Sequence, residues 1–146
     1  MKEGIKMDFI QMIQRLQLIY EYQLVMISCG AFYIAIGEDA IMLNELLGLK
    51  TTCAKNGICK VGVPKNSIEK YIDELDENLC GYVILEYDKN KREIIKKYEK
   101  NGKPKKINDF NKGCKTCEFY GKYKETEYEE VLNKYFKKEF GENAIW

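Results

Sequence analysis

The spacing of apolar residues divides the chain into segments typical of helices and of strands. Behind Asp8, a residue type that often caps a helix, Ile10, Ile13 and Leu16 recur every three or four residues, as on one face of an amphipathic helix. The same spacing, combined with polar caps and glycine stops, predicts helices over 9–22, 38–47, from Asn66 onward, 89–101 and from Thr126 to Gly141.

The segment 89–101 fits two patterns. A helix there would have Asp88 as its cap and Gly102 as its stop, but its apolar residues also half fit the alternation of a strand. We predict a helix.

Runs of β-branched and aromatic residues predict the strands. They are "QLVMIS" (23–28), "AFYIAI" (31–36), two short pieces on either side of Asn56-Gly57, and "YVILEY" (82–87). The resulting order of α, β, β, α, β, β, α, β predicts an α/β (α+β) fold in which a mixed β-sheet is flanked by helices, with an added carboxy-terminal helix.

Composition narrows the possible functions. The 146 residues have no histidine, which removes the commonest general base and the Ser-His and Cys-His nucleophile pairs, and no glycine-rich phosphate cradle appears. Glu38 and Asp39 diverge by about 100° on a helix and lie in its first turn, where acids favour the helix dipole. We therefore expect no enzyme. No apolar run reaches the roughly 18 residues of a membrane span, and we expect a cytoplasmic protein.

The near-zero net charge hides an uneven distribution along the chain. Residues 1–88 carry 8 Lys or Arg against 13 Asp or Glu, whereas residues 89–115 carry 11 against 3. Such a basic stretch either faces the phosphates of a nucleic acid or forms a solvated surface. We divide the chain into a core at 1–88 and a basic loop and helix extension at 89–146 that packs on it.

Cysteines offer one candidate metal site. Cys114 and Cys117 form a CxxC pair, which is half of a zinc site, and the other two ligands would have to be Cys53 and Cys59 or carboxylates. Without a secretory signal, free thiols are the expected state. We expect no cofactor, with zinc as the alternative.

The segment from Phe9 to Tyr87 resembles the amino-terminal mismatch-recognition domain, domain I, of the DNA repair protein MutS. The resemblance rests on "GAFYIAIGEDA", on "VGVP" before a helix and on the strand "GYVILEYD". It implies the fold of that domain and binding to mismatched or distorted DNA. The clamp, lever and ATPase parts of MutS have no counterpart here, so no ATPase activity is implied.

The resemblance also assigns roles to single residues. Phe32 occupies the place of the phenylalanine that stacks on a mispaired base, while Ile34 replaces the glutamate that contacts this base. Ala31 and Ser28 replace an aspartate and a basic residue. We expect Phe32, Tyr33 and Ile34 to contact nucleic acid.

Phosphate contacts would then come from four lysines in the segment that follows, if these surround Phe32: Lys50, Lys55, Lys60 and Lys65. The alternative is that Phe32 and Ile34 pack inward and that Tyr33 points outward.

Two functions follow. One is a DNA-binding accessory protein, working with an enzyme of a phage or mobile element, that recognises distorted duplex through the Phe32 wedge. The other is a protein–protein interaction adaptor that keeps the fold without contacting DNA. A homodimer through aromatic residues near the carboxy terminus is a further expectation.

Overall fold

The computed structural model describes residues 7–55, 58–102 and 128–141. The helices in these ranges are α1 (Phe9–Ile19), α2 (Gly37–Leu47), α3 (Ile68–Glu77) and α4 (Tyr128–Phe140). The strands are β1 (Leu24–Cys29), β2 (Phe32–Ile36), β3 (Thr52–Lys55), β4 (Ile58–Pro64), β5 (Tyr82–Asp88) and β6 (Glu93–Lys100). No helix in the described ranges has the length and apolar character needed to cross a bilayer.

All of these strands join one mixed sheet in the order β3-β4-β2-β1-β5-β6. The central strand β1 is antiparallel to β2 and parallel to β5, and the remaining neighbours are antiparallel. The predicted class, a mixed sheet flanked by helices with a carboxy-terminal helix, is confirmed.

Alternation along the strands divides the core between two faces of the sheet. Val25 and Ile27 of β1 pack in one apolar cluster with α1 and α4, whereas Leu24 and Met26 pack in a second cluster with α2 and α3. Because successive side chains of a strand point to opposite faces, a sheet covered on both faces needs continuous apolar strands. The uninterrupted run at 24–27 meets that requirement.

The helix predicted over 89–101 is wrong, because this segment contains β6. Oδ1 of Asp88 accepts hydrogen bonds from the backbone N–H groups of Asn90 and Lys91, both at 3.0 Å. Asp88 thus caps a turn, which reverses the chain so that β6 pairs antiparallel with β5. The boundary at residue 88 stays a prediction, although β6 beyond it belongs to the same sheet.

Helix ends follow the predicted caps in part. Asp8 and Gln11 form a capping box at α1, and Gly141, with φ of 90°, ends α4. The Asn66 cap is wrong: a 3₁₀ turn at Lys65–Ser67 precedes α3, and Ser67 takes the cap position without a side-chain bond. Thr126 lies outside the described residues.

The carboxylate of Asp39 ties three elements together inside the protein. Asp39 is fully buried, and its Oδ2 accepts hydrogen bonds from the backbone N–H of Val25 at 3.1 Å and from Nε2 of Gln17 at 2.9 Å. The acid in the first turn of α2 therefore anchors this helix to both β1 and α1, a role beyond the helix dipole.

We predict that Asp39→Ala lowers the free energy of unfolding by about 1–3 kcal/mol, because it leaves the buried N–H of Val25 without its acceptor. Glu38→Ala is the matched control, since Glu38 is exposed in the same helical turn, and its effect should stay within about 0.5 kcal/mol. Urea unfolding measures both. Equal effects of the two substitutions would contradict the anchoring role.

Candidate nucleic-acid interface

A tight turn between the two central antiparallel strands presents Phe32. Cys29 and Phe32 are directly paired, so the turn contains only Gly30 and Ala31. Gly30 has φ of 63°, and Ala31 is not left-handed, a combination typical of the type II′ turn, whose twist suits a hairpin. Phe32 is therefore held on a short hairpin at one end of the sheet, which we call the Phe32 end.

The side chain of Phe32 remains exposed over 45% of its surface. Its ring lies across Gly62 of β4, where an added Cβ would come 3.5 Å from Cδ1 of Phe32, and its backbone partner on β4 is Pro64. One side of the ring thus packs against the backbone of Gly62, and the remainder faces solvent.

Tyr33 points to the opposite face of the sheet. It is buried, and its hydroxyl donates a hydrogen bond to Oε2 of Glu86 at 2.7 Å. Burial, and secondarily this hydrogen bond, raises the pKa of the Tyr33 phenol above its usual range. Nζ of Lys65 lies 5.8 Å from the centroid of the ring. The buried Tyr33 side chain therefore anchors β2 to Glu86 of β5.

Ile34 is also buried and belongs to the core cluster under α1. It shares a face with Phe32 but not its exposure. Neither arrangement foreseen for the three residues is found in full: Phe32 is exposed, whereas Tyr33 and Ile34 are both buried. Of these three side chains, only that of Phe32 is available to a partner in this conformation.

The structure does not bring the four lysines together around Phe32. Lys65 follows Pro64 at the Phe32 end, and its backbone N–H donates to the carbonyl of Ala31 at 3.0 Å. Lys60 pairs with Ile36, at the other end of β2. Lys50 is exposed and lies two residues before Thr52, whose partner is Lys60. The side chain of Lys55 lies outside the described residues.

The β5–β6 turn supplies other cations at the Phe32 end. Since β5 runs parallel to β1, the carboxyl ends of both strands lie at the Phe32 end of the sheet. The turn after β5 exposes Lys89, Lys91 and Arg92. Two strand spacings, about 10 Å, separate β5 from β2. The basic run that begins at residue 89 was the sequence signal for these cations, but the helix predicted there obscured their position.

Ser28 helps to hold this turn in place. Its buried hydroxyl accepts a hydrogen bond from the backbone N–H of Tyr87 at 2.8 Å, two residues before the turn begins at Lys89. The Ser28 hydroxyl thereby fixes β5 against β1.

The candidate zinc ligands Cys114 and Cys117 lie outside the described residues. Within those residues, no group of three or more cysteine and carboxylate side chains is arranged to hold a metal ion. The expected absence of a cofactor and the alternative of a zinc site therefore both stay predictions.

Comparison with known proteins identifies the fold. The family model for MutS domain I matches residues 8–110, a range that includes α1 to α3 and the whole sheet. The chain belongs to the MutS domain I family. Comparison with curated proteins gives no match.

MutS domain I is the mismatch-recognition and DNA-binding domain of its family. The match covers most of the 146 residues. It also extends past residue 88 through β6, so the basic β5–β6 turn lies within the matched range.

We predict that truncation of Phe32 has little effect on the free energy of unfolding, because its side chain is partly exposed. Phe32→Ala should lower the free energy of unfolding by less than about 1.5 kcal/mol, whereas Ile34→Ala, two residues along the same face, should cost about 2–5 kcal/mol. Chemical denaturation of both variants checks this. A larger loss for Phe32→Ala than for Ile34→Ala would mean that the ring fills the core.

Proposed function

We propose that this protein is a DNA-binding accessory that recognises distorted duplex by inserting the ring of Phe32 between base pairs, without ATPase activity. The observation that carries the proposal is the exposure of Phe32 on a two-residue hairpin turn, in a chain that belongs to the MutS domain I family; the resemblance to that family implies that Phe32 takes the place of its wedge phenylalanine.

Insertion favours DNA that is already easy to unstack. An apolar ring that enters from the minor groove separates a base step and bends the duplex, and the energy required depends on how stiff that step is. Mispaired and bulged sites need less energy than regular duplex. Selectivity therefore arises from deformability, without any base-specific contact.

The burial of Ile34 supports this form of selectivity. Ile34 lies in the core cluster and has an apolar side chain. It therefore offers no hydrogen bond to a base beside the Phe32 ring. We expect unpaired bases and weak mispairs to bind according to their flexibility, with little dependence on which bases they are.

Cations at the Phe32 end would position the DNA backbone. Lys65 follows Pro64 on the β4 side, with its Nζ 5.8 Å from the Tyr33 ring centroid on the opposite face of the sheet. Lys89 and Lys91 lie in the β5–β6 turn, roughly 10 Å from β2, or about three base steps along a duplex. Contacts to phosphates at that separation fix the orientation of the protein and carry no sequence information.

In this proposal the protein recognises the DNA site and leaves any chemistry to another protein. The family's domain I has no catalytic role by itself, and we propose that a cytoplasmic enzyme of a phage or mobile element acts on the DNA site to which this protein binds.

The second candidate function is that of a protein–protein interaction adaptor. It is favoured by Leu18 and Tyr22 near the end of α1, which expose 73% and 62% of their surfaces. An adaptor that uses them would not bind DNA.

We predict that the protein binds a duplex with a single unpaired base more tightly than the matched regular duplex, and that Phe32→Ala weakens this binding by about 10-fold or more, as expected for a lost base–aromatic stack. Phe140→Ala is the control, because Phe140 is 48% exposed but lies at the end of α4. Fluorescence anisotropy at low salt measures both. Equal losses, or no binding by the unmodified protein, would contradict the proposal.

We also predict that the double variant Lys89→Ala/Lys91→Ala reduces the slope of log affinity against log salt concentration by about 2, because each lost phosphate contact removes roughly one released counterion. The double variant Lys137→Ala/Lys138→Ala, in the last turn of α4, removes the same charge away from the Phe32 end. If both pairs change the slope equally, the turn has no special role.

A further inference from the structure

Two cysteines face each other across β3 and β4 at one edge of the sheet, away from Phe32 and the β5–β6 turn. Cys53 of β3 and Cys59 of β4 are direct partners in an antiparallel pair, and both are thiols in this structure. Directly opposed residues of such a pair have Cα atoms about 4.5–5.5 Å apart, which lies within the range of about 4.4–6.8 Å that a disulfide spans.

An irregularity in β3 creates this pairing. Lys55 pairs with Ile58, and a regular ladder would then oppose Ala54 to Cys59. The register instead shifts between Cys53 and Lys55, so that Cys53 takes that place. Ala54 is turned into the core cluster under α1. The bulge thus aligns the two thiols.

The two thiols differ in their access to solvent. Cys59 is buried, with 3% of its surface exposed, whereas Cys53 is half-buried. A reagent from solvent therefore reaches Cys53 first, and Cys59 is held within reach of the product. This arrangement of an attacking thiol and a resolving thiol is the one that disulfide exchange requires.

We propose that Cys53 and Cys59 form a reversible intramolecular disulfide by exchange with a low-molecular-weight disulfide such as oxidised glutathione. The thiolate of Cys53 attacks one sulfur of the oxidant, which forms a mixed disulfide and releases one glutathione thiolate. The thiolate of Cys59 then attacks the Cys53 sulfur and releases the second. The two protons lost by the cysteines end on the two reduced glutathiones.

The bond would fasten the short edge strand β3 to β4. It would join residues six apart in sequence, across the antiparallel pair of β3 and β4. Its formation depends only on β3 and β4, so it would occur whether or not the protein binds DNA.

The sequence provides a direct assay of this bond. Trypsin cleaves after Lys50, Lys55 and Lys60 and so separates the two cysteines into peptides 51–55 and 56–60. After exposure of the folded full chain to oxidised glutathione and blocking of remaining thiols, we expect mass spectrometry to find these peptides joined, with the loss of two hydrogen atoms, in the majority of molecules. Dithiothreitol should separate them.

Variants test the order of attack. Cys59→Ser should retain glutathione on Cys53, because the resolving thiol is gone, and Cys53→Ser should leave Cys59 largely unmodified. Cys29→Ser, and the double variant Cys114→Ser/Cys117→Ser, should still form the joined peptides. Glutathione retained on Cys53 in the unmodified chain, or joining of peptides 51–55 or 56–60 to other cysteines instead, would overturn the proposal.

Discussion

The anchoring of Tyr33 inside the protein fixes the outward position of its neighbour. Its hydroxyl is bound to Glu86 on β5, two strands away, while Val63 of β4 is its backbone partner. Because side chains of a strand alternate between faces, this anchor commits Phe32, Ile34 and Ile36 to the other face. The core cluster there takes up Ile34 and Ile36 but not Phe32. The Phe32 ring is therefore exposed for two reasons. The register directs its side chain to this face of the sheet, and the core cluster on that face does not extend to the ring.

Sequence patterns predicted the elements whose signal is local. The apolar run at 24–27 indicates burial on two faces and the spacing in α1 burial on one face, and both elements are found, although α1 ends at Ile19 instead of residue 22. In 89–101, Ile94 and Ile95 lie among charged residues that suit an exposed edge strand and a helix equally well, and Asp88 suits a turn as well as a helix cap. Only pairing with β5 decides between the two structures.

Which cations lie near Phe32 likewise depends on the pairing register of strands that are distant in sequence. Lys60 and Lys65 are five residues apart on one stretch, yet one lies opposite Ile36 and the other follows the partner of Phe32. A sequence does not reveal which strand end meets which. The grouping of Phe32 with the β5–β6 turn likewise required the parallel pairing of β1 and β5, which joins segments about 60 residues apart.

The proposed function uses the aromatic wedge that the resemblance to MutS domain I implies at Phe32, without the hydrogen-bonding glutamate that Ile34 replaces. The most direct measurement is the fluorescence of 2-aminopurine placed beside an unpaired base in a short duplex, because this base brightens when it is unstacked. The account predicts a rise in fluorescence when the protein binds and little or none with Phe32→Ala at a concentration that saturates the DNA. Saturated binding without a rise, or an equal rise with the variant, would contradict insertion of the ring.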